Sequence, residues 1–131
     1  MFKAITLTTY DGQEKDVEFL ANAATPLRYK QIFGGDLIQK FVDAKKDKNG
    51  ETTYNIDFLG ELAFLMAMQA KKKSDDSICL EKLSFDSYLN WLEEFGGMAI
   101  ENKAEEIIGV YLGNAHTDSE AKKKEDKPKG K

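Results

Sequence analysis

The sequence predicts an α+β fold that is mainly helical: an N-terminal β-hairpin packed on a bundle of about five helices, with a disordered lysine-rich tail behind it. Three features predict it. The first 20 residues alternate in polarity around Asp11-Gly12. Apolar residues then recur at helical spacing, punctuated by the glycine pairs Gly34-Gly35 and Gly96-Gly97. Large apolar residues stop at His116.

Lys3–Thr9 places Ile5 and Leu7 on one face, and Glu14–Leu20 does the same with Val17 and Phe19. Asp-Gly between two alternating runs signals a hairpin, because both central positions of a two-residue turn favour positive φ. A two-stranded hairpin is barely stable alone, so it needs the helices as a partner.

The clearest punctuation lies in Phe19–Leu37. Thr25-Pro26 opens a helix: the hydroxyl can accept an orphan N–H, and proline at the first position lacks a donor that would go unused. Tyr29, Ile32 and Phe33 share a face of the predicted helix Pro26–Phe33. Gly34-Gly35 ends it, glycine being the residue that takes the left-handed position cheaply. Asp36 can cap a second helix to Lys45, with Leu37, Ile38, Phe41 and Val42 as its stripe. Asp47-Lys48-Asn49-Gly50 is read as a turn between helices, since its flanks do not alternate.

The third helix starts at Tyr54 or Asp57 and runs to Lys72, before a charged loop ending at Asp76. Phe58, Leu59, Leu62, Ala63, Phe64, Leu65, Met66, Ala67 and Met68 make it apolar around most of its circumference. Such a helix is either central to the domain or has a second face for a partner. Ser84 opens the fourth, FDSYLNWLEEF, whose stripe is Phe85, Tyr88, Leu89, Leu92 and Phe95 with Trp91 beside it. The fifth spans Met98 or Ala99 to about Gly113 with Ile100, Ala104, Ile107, Ile108, Tyr111 and Leu112 on one face.

At 131 residues with 41% hydrophobic content the chain is one domain, residues 1–115, with enough aromatic mass for a core. Residues 116–131 are too polar to order themselves and are expected to be a disordered charged tail. The start is alternating rather than a continuous apolar run, and no stretch reaches the roughly 20 apolar residues of a membrane span, so a soluble intracellular protein is expected. The net charge is −4, and the lysine-rich tail makes the remaining body more acidic still. An acidic body argues against a phosphate-binding surface, and Lys122-Lys123-Lys124 lacks interleaved aromatics, so neither nucleic acid nor membrane is expected as a partner.

The single cysteine, Cys79, excludes an internal disulfide and a zinc cluster. There is no phosphate loop, dinucleotide fingerprint, HExxH or Gly-x-Ser-x-Gly. His116 sits at the mouth of the tail, where a base has no support. Asp75-Asp76, Glu93-Glu94 and Glu105-Glu106 are adjacent pairs, the last two being solvated helix faces. No catalytic residue, metal or cofactor is expected, and a binding or assembly role fits better than an enzyme.

The run ANAATPLRYKQIFGGDL, with a hairpin before it and the ELAFLMAMQAKK and SFDSYLNWLEEF helices after it, resembles the tail assembly chaperones of long-tailed, siphovirus-type bacteriophages of Gram-positive hosts. The similar elements are Ala-Ala-Thr-Pro with Arg28-Tyr29, Phe33-Gly34-x-Asp36, Ala63-x-x-Met66 and Trp91-Leu92, in that order over roughly residues 15–112. The resemblance implies a protein of the host cell cytoplasm that coats the tape-measure protein while the tail tube polymerises and is absent from the mature virion. It also implies a frameshifted long form that recruits tail tube protein, with the codons of Lys122–Lys124 as a slippery site, and self-association into a homo-oligomer. No active-site residues carry over. A holdase for apolar helical faces needs surplus apolar helix surface on a net-negative body. On that reading Tyr29, Phe33, Phe64, Met66, Met68, Tyr88 and Trp91 are the candidate partner-binding residues. The competing readings are a tail-completion or connector subunit retained in the virion, and a small enzyme or nucleotide-binding module with carboxylates converging on a polar pocket.

Overall fold

The computed structural model describes residues 1–42, 45–46, 52–53 and 56–113. The tail from residue 116, with His116 and the lysine run, lies outside them. Strands β1 (Phe2–Thr8) and β2 (Glu14–Leu20) pair antiparallel with Ile5 opposite Val17 and Lys3 opposite Phe19. Their odd-numbered residues Ile5, Leu7, Val17 and Phe19 are buried, as the alternation predicts. The turn is longer than the two-residue form expected. The Thr9 N–H donates to Gln13 O (2.7 Å), the Gly12 N–H donates to Thr9 O (3.0 Å), and Gly12 (φ 86°) alone takes the left-handed conformation. A three-residue turn with glycine last meets the strand twist without forcing Asp11 to positive φ.

Helix α1 is Thr25–Phe33, and Gly34 closes it at φ 81° with its N–H on Lys30 O. Thr25 does not cap it: Ala24 stands at the cap position with no side-chain bond. The hydroxyl of Thr25 instead accepts from the Asn22 N–H (3.0 Å) and from Gln69 Nε2 (2.9 Å). Asp36 does cap α2 (Leu37–Val42), its Oδ1 accepting from the N–H groups of Ile38 and Gln39. That helix is shorter than the sequence suggests. Lys45–Lys46 is a strand, β3, paired antiparallel with β4 (Thr52–Thr53), where the sequence reading has no strand; the Asp47-Lys48-Asn49-Gly50 turn itself lies outside the described residues.

Helix α3, Ile56–Ser74, is the axis of the molecule. From Phe58 to Ala70 only Glu61 is not buried. The β2 strand, α1 and α4 (Phe85–Leu92) pack around it, which accounts for an apolar surface with no solvent side. Its alternative reading, a second face for a partner, is thereby corrected along the described length.

Ser84 caps α4 through a reciprocal box with Ser87. The helix ends at Leu92, earlier than Phe95, and Tyr10 N–H to Glu94 O and Gly96 N–H to Thr8 O (both 3.0 Å) stitch its exit to the first hairpin. Residues 97–100 form turns, Glu101–Lys103 is a 3-10 turn, and residues 104–113 form α5. Ile107, Ile108 and Val110 face the core while Leu112 is exposed. Among the described residues no helix is long and apolar enough to cross a membrane.

Candidate functional site

The seven candidate residues divide by position. Tyr29, Phe64 and Met66 are at most 1% exposed, and Phe33 is half-buried against the same core. Tyr29, Phe64 and Met66 are therefore closed to a partner in the folded monomer, because helical apolar spacing marks a buried face before it marks a binding one. Met68 and Trp91 are buried too, but they floor a hollow of about 350 Å³ beside Val17, Ala67 and the Lys15–Glu94 ion pair (2.9 Å). Tyr88, also buried, lines a separate cleft of about 290 Å³.

Five of the candidates form one aromatic chain. Tyr29 meets Phe33 at 5.3 Å between ring centroids, Phe33 meets Tyr88 at 5.5 Å, and Phe64 bridges Tyr88 (5.5 Å) to Trp91 (5.8 Å). These separations are those of favourable edge-on and tilted ring pairs. The chain reaches the surface at Phe85, 5.9 Å from Tyr88 and 59% exposed. Leu89, one turn on, is also exposed. Helix α4 is thus rolled so that Tyr88 and Trp91 point inward and Phe85 and Leu89 outward, splitting the predicted stripe. Leu27 on α1, Ile38 on α2 and Met98 after α4 are further large apolar side chains in solvent, each over 60% exposed or at that value.

The sequence reading marks neither Gln69 nor Glu61, the two polar residues of the apolar helix that hold its neighbours. Gln69 donates from Nε2 to Leu20 O (2.7 Å) and to the Thr25 hydroxyl, while its Oε1 accepts from Arg28 Nη1 (3.1 Å). One residue from α3 so fixes the end of β2 and the start of α1, and a glutamine inside an otherwise apolar run was its only signal. The Tyr29 hydroxyl donates to Glu61 Oε1. Burial first, then that bond, pushes the phenol up, and burial likewise raises the Glu61 carboxyl.

The cleft at Tyr88 gathers Asp57, Glu101 and the phenol above Gly60, Leu92 and Ile100. Burial and then the carboxylates of Glu61, Asp57 and Glu101 push the Tyr88 phenol up to about 12. That is the wrong direction for a base or a nucleophile, which needs its proton loosened. Among the described residues no three His, Cys, Asp or Glu side chains are grouped to hold a metal ion. Cys79 is exposed, its thiol 3.5 Å from Glu81 Oε1. No protein-family model, curated protein or solved structure matches the chain.

Proposed function

We propose that the protein is a tail assembly chaperone of a long-tailed bacteriophage, which shields the apolar helical faces of a tape-measure protein until the tail tube covers them. One observation supports this reading most: the fold buries a continuous apolar core and still leaves Leu27, Ile38, Phe85, Leu89 and Met98 in solvent, mostly on helices. A side chain such as Phe85 gains about 1.5–3 kcal/mol when fully buried, so an apolar partner helix has something to gain there. The acidic chain keeps such a surface soluble between encounters. The order of elements also agrees with the resemblance: hairpin, Thr-Pro helix, Gly-Gly exit, apolar axis and Trp91 helix. The partner surface moves accordingly, from Tyr88 and Trp91 to the opposite side of the same helix. A frameshifted long form recruiting tail tube protein, self-association, residence in the host cytoplasm and absence from the virion belong to the same proposal.

Co-expression with the tape-measure protein of the same tail gene cluster tests it. The expected result is a soluble complex that co-purifies, and Phe85→Ser with Leu89→Ser is expected to abolish it while leaving the melting temperature within a few degrees. A tape-measure protein equally soluble without this chain, or purified virions rich in the chain, would overturn the proposal. The second outcome would favour a retained connector.

A further inference from the structure

The first hairpin has two outer edges, and the fold treats them differently. Strand β2 lies against α3, and Gln69 takes Leu20 O. On β1 the odd-numbered residues turn their backbone groups to β2: Met1 exchanges bonds with Ala21, and the Thr9 N–H donates to Gln13 O. The N–H and C=O groups of Phe2, Ala4, Thr6 and Thr8 therefore point away from the hairpin, because the direction alternates along a strand. Thr8 O accepts from the Gly96 N–H, which ends the open edge on one side. At the other end, a β-carbon on Gly113 would stand 3.8 Å from that of Met1. Between these stops, no hydrogen bond from outside the hairpin reaches the backbone of Phe2, Ala4 or Thr6 among the described residues.

The side chains supply a second, independent observation. The exposed large apolar residues that the chaperone reading leaves unused are Met1, Phe2, Tyr10 and Leu112. All are on β1 or beside one of its ends: Leu112 precedes Gly113, and the Tyr10 N–H is on Glu94 O. The solvent side of β1, from Phe2 to Thr8, carries no charge, whereas Glu14, Asp16 and Glu18 stand across from it on β2. Lys3 is the one charge on β1, and it is paired with Glu106 (3.9 Å). An uncharged strand edge without proline is a template for another strand.

We propose that the edge of β1 pairs antiparallel with β1 of a second copy of this chain, about a two-fold axis at Ala4, so that two hairpins become one four-stranded sheet. The open span is its own complement: centred on Ala4 and bounded at both ends, it is matched by the same span turned end for end. In that register Phe2 stands opposite the partner's Thr6 and Ala4 opposite the partner's Ala4, each pair exchanging N–H···O bonds in both directions. Phe2 then covers the small Ala4 of the other copy on the diagonal. The acidic β2 strands take the two outside positions, which keeps the carboxylates of two net-negative chains apart. Pairing through β2 instead would first have to displace Gln69 and α3. The two-fold consumes both open edges at once, so the assembly closes as a dimer and does not grow into a fibre. The self-association that the chaperone reading includes gains a surface here, but the inference stands on the strand edge alone.

Sedimentation equilibrium of the full chain, with no tape-measure protein present, tests it. A monomer–dimer equilibrium is expected with a dissociation constant on the order of 10 μM, since one strand edge is less than a standard interface. The Ala4 and Thr6 amides should exchange slowly in concentrated solution and fast on dilution, while those of Ile5 and Leu7, which face β2, stay protected throughout. In a mixture of differently labelled chains, a cross-relaxation contact between the α-protons of Lys3 in one copy and Ile5 in the other is expected, because that pair is the closely spaced, non-hydrogen-bonded kind. Ala4→Pro removes only an outward N–H, so the β1–β2 ladder survives, and it is expected to abolish the dimer with the far-UV circular dichroism unchanged. Ala4→Lys keeps every backbone group, sets like charges face to face, and should weaken the dimer about fivefold. A chain that stays monomeric to about 1 mM, a dimer that survives both substitutions, or Ala4 and Thr6 amides protected only when another protein is added would each overturn the inference. Tape-measure binding enters none of these measurements, so either reading can fail without the other.

Discussion

Glu61 is the one residue between Phe58 and Ala70 that the apolar axis does not bury, and it is held by the Tyr29 hydroxyl. Burial raises its carboxyl above the ordinary 4.5, outweighing the lowering by the Tyr29 bond and the Lys40 charge. The folded state therefore holds this proton more tightly than the unfolded chain. Stability from Glu61 is present at pH values below 4.5 and is lost as pH rises through the raised folded value. Glu61→Gln keeps an oxygen to accept the Tyr29 proton but cannot ionise. Its unfolding free energy relative to the parent is expected to improve between acidic and neutral pH, as read from urea melts at both. A difference that does not change with pH would show that the carboxyl titrates alike in both states. Neither this pair nor the Gln69 network could be read from the sequence, because each joins residues more than 30 positions apart.

At the scale of elements, legibility followed locality. Gly34, Asp36 and Ser84 were readable as boundary residues because each acts within four positions of itself. Thr25 failed as a cap although its type was right, since Gln69 on α3 and the Asn22 N–H claim its hydroxyl. The roll of α4 was likewise invisible: its apolar stripe is wider than the buried face, and only packing decides that Tyr88 and Trp91 go in and Phe85 stays out. The short β3–β4 pairing is not legible in the sequence, because two-residue strands carry no alternation to detect. Ser84 offers a direct measure of a local device. Its Oγ accepts from the Ser87 N–H, and its own N–H donates to Ser87 Oγ, both at 3.2 Å. Ser84→Ala is expected to cost about 1 kcal/mol in urea unfolding. A loss of no more than a few tenths would mean that packing, not the box, holds the start of α4.

For the molecule as a whole, the question is whether the hairpin is an appendage or part of one cooperative unit. The packing argues for one unit. A two-stranded hairpin has no independent stability worth counting, and here its whole apolar face, Ile5, Leu7, Val17 and Phe19, lies in the same cluster as Leu62, Met66 and Ile107. Its margins are tied as well: Gln69 holds Leu20 O, Gly96 holds Thr8 O, and Lys15 pairs with Glu94. Opening the hairpin would uncover α3 along its length, so local opening should be as costly as global unfolding. Phe19→Ala removes a fully buried ring at the hairpin–α3 contact and is expected to cost about 3–5 kcal/mol. The loss should show equally in the exchange of the Ile5 and Val17 amides and in that of Leu65 and Met66. If the hairpin amides instead exchange faster by orders of magnitude while the α3 amides keep their protection, the helical part stands alone and the hairpin is a flap upon it. Any partner that displaced the hairpin could then reach Phe64, Met66 and Met68, which one cooperative unit keeps closed.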